Sequence, residues 1–258
     1  MTQSFNSLFS TSFLDQKKTI GELLKESRER ADFYILLSFA TFISTLGLLT
    51  DSIEVIIGGM LIAPMLFPIL SVSMGVVTAS SLALVRALTI LMRSVIVVFL
   101  IATFTTFLMG DGTLGREIMV RTDPNLFHFL IALVSGLAVA YAWVKQNLSA
   151  TLPGIALAVS LVPPLATVGV GVAFLDRQVI AGSMSVFLVN CLATILGSLV
   201  IFSLFGFSRL QREEEEKIVE EVLEGRIQAK AVEEASEAIE KQSPVEALNN
   251  IPEEKTDN

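Results

Sequence analysis

Residues 53–77 read IEVIIGGMLIAPMLFPILSVSMGVV, an apolar run that opens on Glu54 and is interrupted by Gly58, Gly59, Pro64, Pro68 and Gly75. Crossing about 30 Å of hydrocarbon takes about 20 mostly apolar residues in a helix. This run is long enough, yet its two prolines remove backbone N–H groups and collide with carbonyls one turn back. A helix is expected to break or kink there. Backbone groups freed at membrane depth are tolerated only where protein or a water-filled cavity satisfies them. A second run of the same kind, LPGIALAVSLVPPLATVGVGVAF, occupies residues 152–174 with Pro153, Gly154, Pro163, Pro164, Gly169 and Gly171.

The two runs are in register. A shift of 96 residues carries Gly58 onto Gly154, Pro68 onto Pro164, Gly75 onto Gly171 and Phe33 onto Phe129. The small residues Ala40 and Ser44 fall on Gly136 and Ala140 under the same shift. Six apolar blocks are present, namely 33–49, 53–78, 84–109, 126–144, 152–175 and 179–207. They divide into two halves of three, and an odd number of crossings inverts the second half relative to the first. The fold class expected is therefore an all-α membrane protein of six transmembrane helices, built as two inverted three-helix repeats with helices 2 and 5 broken. Inverted repeats recur in secondary transporters, whose sites lie between the repeats at paired Gly/Pro-interrupted segments. Kinked helices that merely pack remain the other reading, because Ser71, Gly75 and Ala79, and Thr167 and Gly171, are small-residue stripes of the kind found in helix seams.

Composition agrees with a membrane chain: 52% of the 258 residues are hydrophobic and the mean hydropathy is +0.68. The net charge of −8 belongs to the tail, since residues 1–208 hold 11 acidic and 11 basic side chains and residues 209–258 hold 15 and 7. Without a basic face, nucleic acid is excluded as a partner. Three parts are expected: a cytoplasmic amphipathic leader over 1–31, a six-span domain over 32–208 (repeats at about 32–110 and 125–208), and an acidic cytoplasmic tail over 209–258, helical and then disordered. In the leader, Phe5, Leu8, Phe9, Phe13 and Leu14 suggest a helix lying on the membrane surface, with a disordered leader as the alternative. With the N-terminus inside, nine basic flanking residues (Lys17, Lys18, Lys25, Arg28, Arg30, Arg86, Lys145, Arg209, Arg212) face the cytoplasm against three outside (Arg116, Arg121, Arg177). The positive-inside rule then places both termini in the cytoplasm.

The segments TDSIEVIIGGMLIAPMLFPIL (Thr50 to Leu70) and AVSLVPPLATVGVG (Ala158 to Gly171) resemble the two signature segments of domain-of-unknown-function family 389. The resemblance covers about residues 30–207. It implies a bacterial, multi-span protein of the inner membrane and names no substrate.

Few side chains in the spans carry chemistry. Arg93 lies nine residues into the third block, roughly 13 Å along a helix rising about 1.5 Å per residue, and an intramembrane ionisable residue marks a functional site by default. Arg86 shares its face. The pair suits an anion as a basic ladder, or else snorkels to the inner headgroups. Asp51, Ser52 and Glu54 suit the capping of the second span. Asn190, at the position matching Ser94, suits an interhelical hydrogen bond. Ala132, Gly136 and Ala140 suit a close helix contact. No HExxH, GxSxG, P-loop or paired intramembrane carboxylates occur, so catalysis is not expected. No cofactor or metal site is expected either, with one histidine and one cysteine. The expected activity is transport or conduction of a small solute or ion, with an anion favoured, at the crossing of helices 2 and 5. The substrate-binding candidates are Gly58, Gly59, Pro64, Pro68, Ser71, Arg93, Ser160, Pro163, Pro164 and Thr167. The alternative is a non-transporting scaffold or sensor acting through the acidic tail. Partners expected are the lipid bilayer and further copies of the chain.

Overall fold

The computed structural model describes residues 13–27, 29–145, 148, 161–211, 214–220, 222–224, 226–227 and 230. The described elements are helical throughout: α1 (Phe13–Glu26), α2 (Ala31–Leu49), α3 (Ile53–Ile62), α4 (Leu66–Val77), α5 (Ser81–Met109), α6 (Arg116–Met119), α7 (Leu126–Val144), α8 (Val162–Ala173) and α9 (Arg177–Leu204). Short 3-10 turns occupy Val120–Thr122 and Phe207–Arg209. Residues 1–215 form one compact unit and residues 216–258 a second.

Among the described residues, α2, α5, α7 and α9 are long and apolar enough to cross a membrane. The pair α3 and α4, bent by 53° at its break, makes a fifth crossing if counted as one span. The expected fifth block is represented by α8, a shorter apolar helix of 12 residues, and residues 149–160 lie outside the described ones. The chain is thus an all-helical protein with four or five crossing-length segments, compatible with a multi-pass membrane protein.

The prolines explain where the breaks fall. Ala63 precedes Pro64 and is extended, at φ −71° and ψ 121°, because the proline ring excludes the helical region for its predecessor. Pro68 sits in the first turn of α4, where no N–H bond is lost. Likewise α8 carries its prolines at the helix start, the position at which a fixed φ and a missing N–H cost nothing. Each break is therefore a helix start and not a mid-helix kink.

The long helices are apolar on both faces. On α5 the exposed stripe is Val85, Leu88, Met92, Ile96, Leu100, Phe104 and Phe107, whereas Ile90, Leu91 and Val98 face inward together with the smaller Ala83, Ala87, Ser94, Ala102, Thr105 and Thr106. On α9, Leu188, Leu192, Leu196 and Val200 point out, and Val186, Phe187 and Phe202 point in beside Ser183, Asn190, Thr194 and Ser198. Large apolar outward faces over an interior that admits small and hydroxyl side chains are compatible with helices in a membrane. The short helices take the centre: Leu66 and Pro68–Gly75 of α4, and Val162–Gly171 of α8, are buried. Both pack on α5 and α9, and α8 also on α2.

The two halves share their local geometry at one offset. Helices α4 and α8 begin at Leu66 and Val162 and end at Val77 and Ala173, 96 residues apart in both cases, and α5 and α9 begin at Ser81 and Arg177, again 96 apart. Each short helix closes on a residue of left-handed backbone, Ala79 and Leu175, both at φ 56°. Matching bonds seal the two turns, Ser80 N–H to Gly75 O at 3.1 Å and Asp176 N–H to Gly171 O at 2.9 Å. These are Schellman-type closures that satisfy free terminal carbonyls. Tertiary contacts repeat as well. Ser73 Oγ of α4 donates to Ile195 O of α9 at 3.4 Å. Gly169 of α8 lies so close to α5 that an added Cβ would stand 3.1 Å from Phe99 O. Ser73 and Gly169, like Phe99 and Ile195, are 96 positions apart.

Two local expectations change. The leader contains a helix, α1, but its buried line is Ile20, Leu23 and Leu24, packed on α4 and α7. Phe13 stays 54% exposed, and residues 1–12, with the aromatic positions expected to form the face, lie outside the described ones. Asp51 caps a helix, though not α3: it adopts φ 53° and its Oδ1 accepts the Glu117 N–H of α6 at 2.6 Å. Ser52, at the α3 N-cap, makes no capping bond and donates to Glu54 Oε2 at 2.9 Å.

A left-handed backbone costs a residue bearing a Cβ about 1–2 kcal/mol, and glycine returns part of that through the entropy of the unfolded chain. Ala79→Gly and Leu175→Gly should each stabilise the fold by about 0.5 kcal/mol, read as a higher Tm of the detergent-solubilised protein.

Candidate functional site

The two Pro/Gly breaks define the candidate site, and its residues divide by what they touch. Gly59 is a contact glycine: a Cβ there would stand 2.3 Å from Ser44 Oγ and 2.8 Å from Ala40 O, so α3 lies directly on α2. Gly58 has open space around the same position. Pro64 and Pro68 bracket the start of α4. Ser71, one turn further on, donates its hydroxyl to Ser27 Oγ at 2.8 Å, a buried bond. Thus Ser71 is covered by the segment that follows α1. Pro163, Pro164 and Thr167 are all buried in α8, and Thr167 Oγ1 returns to Pro163 O at 2.9 Å. Ser160 lies outside the described residues. Among the described residues the expected crossing of helices 2 and 5 is not seen as direct packing of α4 on α8: the two share α5 and α9 as flanking walls, and α8 touches α3 only lightly.

Close approaches hold these walls in place. A Cβ on Gly75 would stand 2.9 Å from Leu84 N, and one on Gly171 would stand 3.0 Å from Ile180 N. Gly136 meets Thr194 O in the same way at 2.4 Å, so the stripe Ala132, Gly136 and Ala140, buried throughout, seats α7 on α9. Ser198 Oγ reaches Gly136 O across that seam at 3.3 Å.

The interior is lined by hydroxyls. Those of Thr41, Thr45, Ser94, Thr106 and Thr194 bond to the carbonyl four residues back, an arrangement that satisfies the hydroxyl without a neighbour. Ser44 and Ser183 are buried with hydroxyls that have no hydrogen-bond partner among the described residues. Buried polar groups normally find one; Ser44 Oγ lies in the seam where Gly59 meets α2. The matched pair Ser94 and Asn190 is buried as well.

Arg93 is placed differently from the candidates above. Its side chain is 57% exposed and its Nη1 pairs with Glu29 Oε1; Tyr34 donates its hydroxyl to the same oxygen at 3.0 Å. At Glu29, burial raises the carboxyl pKa, but the hydrogen bonds from Arg93 and Tyr34 and the charges of Arg93 and Arg86 outweigh it, leaving the pKa below the ordinary value. The two arginines of the expected ladder therefore act on one carboxylate just before α2. The charge that Arg93 would offer an anion is balanced there. Among the described residues no group of three or more His, Cys, Asp or Glu side chains is arranged to hold a metal ion.

One buried acid escaped the reading of the sequence. Glu214, 1% exposed, bonds to Thr78 at the end of α4. Within the run EEEE at 213–216 nothing in spacing or neighbours singles it out.

The central segments that form this site also carry the likeness to known proteins. A family model described as Domain of unknown function (DUF389) matches residues 60–196, from the end of α3 to the middle of α9. The chain belongs to this family. A curated relative, "Uncharacterized protein MJ0678" of Methanocaldococcus jannaschii, is 27% identical over 176 residues, which is 67% of this chain and 54% of that protein. The chain thus spans about half the length of the archaeal relative. No solved structure matches. The matched stretch holds the break before α4, the whole of α5 and α8, and the first part of α9.

The contrast between adjacent glycines is testable. Gly59→Ala must push α3 off α2 and should lower stability by about 2 kcal/mol or more, as overpacking does. Gly58→Ala should leave it unchanged or raise it by about 0.5–1 kcal/mol through helix propensity. Thermal unfolding of the two variants in one detergent compares them directly.

Proposed function

We propose that this DUF389 chain is a transporter or channel for a small solute or ion, embedded in the cytoplasmic membrane of a prokaryote as six spans in two inverted repeats. The observation that carries the reading is the pair α4 and α8, half-length, buried and opened by prolines at matching positions. A helix that starts inside a bundle leaves N–H groups without intrahelical partners. It also directs the positive end of its dipole into the interior. Two such starts, one from each repeat, are the arrangement by which transporters hold an anionic group near the membrane midplane. The unpartnered hydroxyls of Ser44 and Ser183 add donors of the kind a small polar solute needs. The 96-residue agreement of helix bounds, left-handed turns and contacts supports the repeat. The outward stripes of large apolar side chains support lipid contact.

On this reading the ion pair of Arg93 with Glu29 is structural and the pathway takes its selectivity from backbone dipoles and hydroxyls. The substrate site comprises Gly58, Gly59, Pro64, Pro68 and Ser71 from the first repeat, and Ser160, Pro163, Pro164 and Thr167 from the second. The protein is not an enzyme and holds no cofactor. Both termini face the cytoplasm, and the chain assembles with further copies of itself, since a bundle of three plus three spans is small for a complete carrier.

Two measurements test the proposal. With inverted repeats, the turns after α4 and α8 face opposite sides: a membrane-impermeant thiol reagent should label Leu175→Cys in intact cells and Ala79→Cys only after lysis. Labelling of both from one side ends the inverted-repeat reading. In liposomes, gradients of chloride, nitrate and acetate should drive flux through the full chain and through a chain truncated after residue 220. Absence of flux under every gradient, together with partner binding that requires the tail, turns the assignment to a scaffold or sensor.

A further inference from the structure

At the inner end of α4 the chain buries a carboxyl group where an ionised one is least welcome. Glu214 is 1% exposed and contacts Thr78 Oγ1 through Oε2. Thr78 is the C-cap of α4, the end at which the helix dipole is negative and repels an anion. The hydroxyl of Thr78 has one proton and three acceptors in reach: Met74 O at 3.0 Å, Gly75 O at 3.3 Å, and Glu214. Met74 O and Gly75 O already accept the backbone N–H groups of Thr78 and Ser80, which leaves the Thr78 hydroxyl to donate to Glu214. One donated bond is small compensation for a carboxylate buried against the negative end of a helix, so the docked position suits the neutral carboxyl better than the ionised one.

We propose that Glu214 and Thr78 form a proton-operated latch that ties the chain at Glu214 to the inner end of α4 when the carboxyl is protonated and releases it when it ionises. The latch is placed where it bears on α4 directly, one residue before the left-handed hinge at Ala79. Leu210, buried at 1% exposure, anchors the chain ahead of Glu214, and its carbonyl accepts the Glu214 N–H at 3.1 Å.

Burial dominates at the carboxyl, with Lys217 half-buried three residues on along the same helix. Residues 66–85, through α4 and its turn into α5, carry no charged side chain. In the 3-10 turn, Arg209 is exposed. On α1, which packs on α4, Lys18 pairs with Glu22 and Lys17 lies over the Phe13 ring. Glu215, on the same helix as Glu214, is a like charge that opposes ionisation. Burial pushes the Glu214 carboxyl up to about 7, against the bond from Thr78, which favours the ionised form, and with Glu215, which disfavours it. Because the docked pKa is raised above that of the released carboxyl, docking is strongest below the released value and weakens as pH rises toward about 7.

The latch does not depend on what crosses the membrane, so it is tested without flux. A nitroxide on Gln211→Cys in a Cys191→Ala background, in the full chain in lipid nanodiscs, reports the mobility of the chain there. The spectrum should be immobilised at about pH 5.5 and mobile at about pH 8.5, with a midpoint near 7. Glu214→Gln, neutral at every pH, should stay immobilised throughout. Thr78→Val, which removes the bond that favours ionisation, should move the midpoint upward. Mobility that does not change with pH in the parent protein overturns the proposal, and so does a transition that persists unshifted in both variants.

Discussion

Proline cannot donate a backbone hydrogen bond, and in an apolar interior a polar group left without a partner is expensive. This constraint organises the molecule. The chain places Pro64, Pro68, Pro163 and Pro164 in two segments and then begins a helix at each, so that the missing N–H groups coincide with positions that have no intrahelical partner anyway. The result is a pair of helices too short to cross a membrane, α4 and α8, which are buried because their ends are. Everything else in the bundle serves to enclose them.

Enclosure is achieved by close approach. Gly75 admits the first turn of α5 and Gly171 that of α9, while Gly169 and Ser73 bring each short helix against the long helix of the other half. Threonine and serine hydroxyls in these contacts bond back to their own carbonyls, so polar side chains reach the centre without stranding a donor. Ser71 instead donates to Ser27, and among the described residues the buried hydroxyls of Ser44 and Ser183 have no hydrogen-bond partner. The outward faces of α5 and α9 hold the large side chains that a water-soluble bundle would bury.

Charge is kept to the periphery. Arg93, Tyr34 and Glu29 close on one another at the approach to α2, and Asp51 ties the turn between α2 and α3 to α6. Among the described residues the strongly buried acid is Glu214, which lies against the C-terminal end of α4. The latch we propose there acts on the same element whose other end forms the candidate site.

By itself the sequence determined the apolar blocks, the two proline-opened segments and the 96-residue offset, because span length, missing N–H groups and periodicity are local properties written in residue types. Helix α7 fell at 126–144 as the hydropathy indicated, and α2, α5 and α9 came within three residues of it at each end. The glycine stripe of α7 was legible for the same reason. Tertiary structure decided the rest. That Arg93 answers Glu29, 64 positions away, depends on how α5 lies beside α2. That Asp51 caps α6 and not α3 depends on where the loop after α5 returns. That Gly59 is in contact and Gly58 is not depends on the rotation of α3 about its axis. That Glu214 is buried while Glu216 is exposed depends on how the chain meets the end of α4. Contacts between distant residues are set by the packing of whole elements, and no pattern in the local sequence records them.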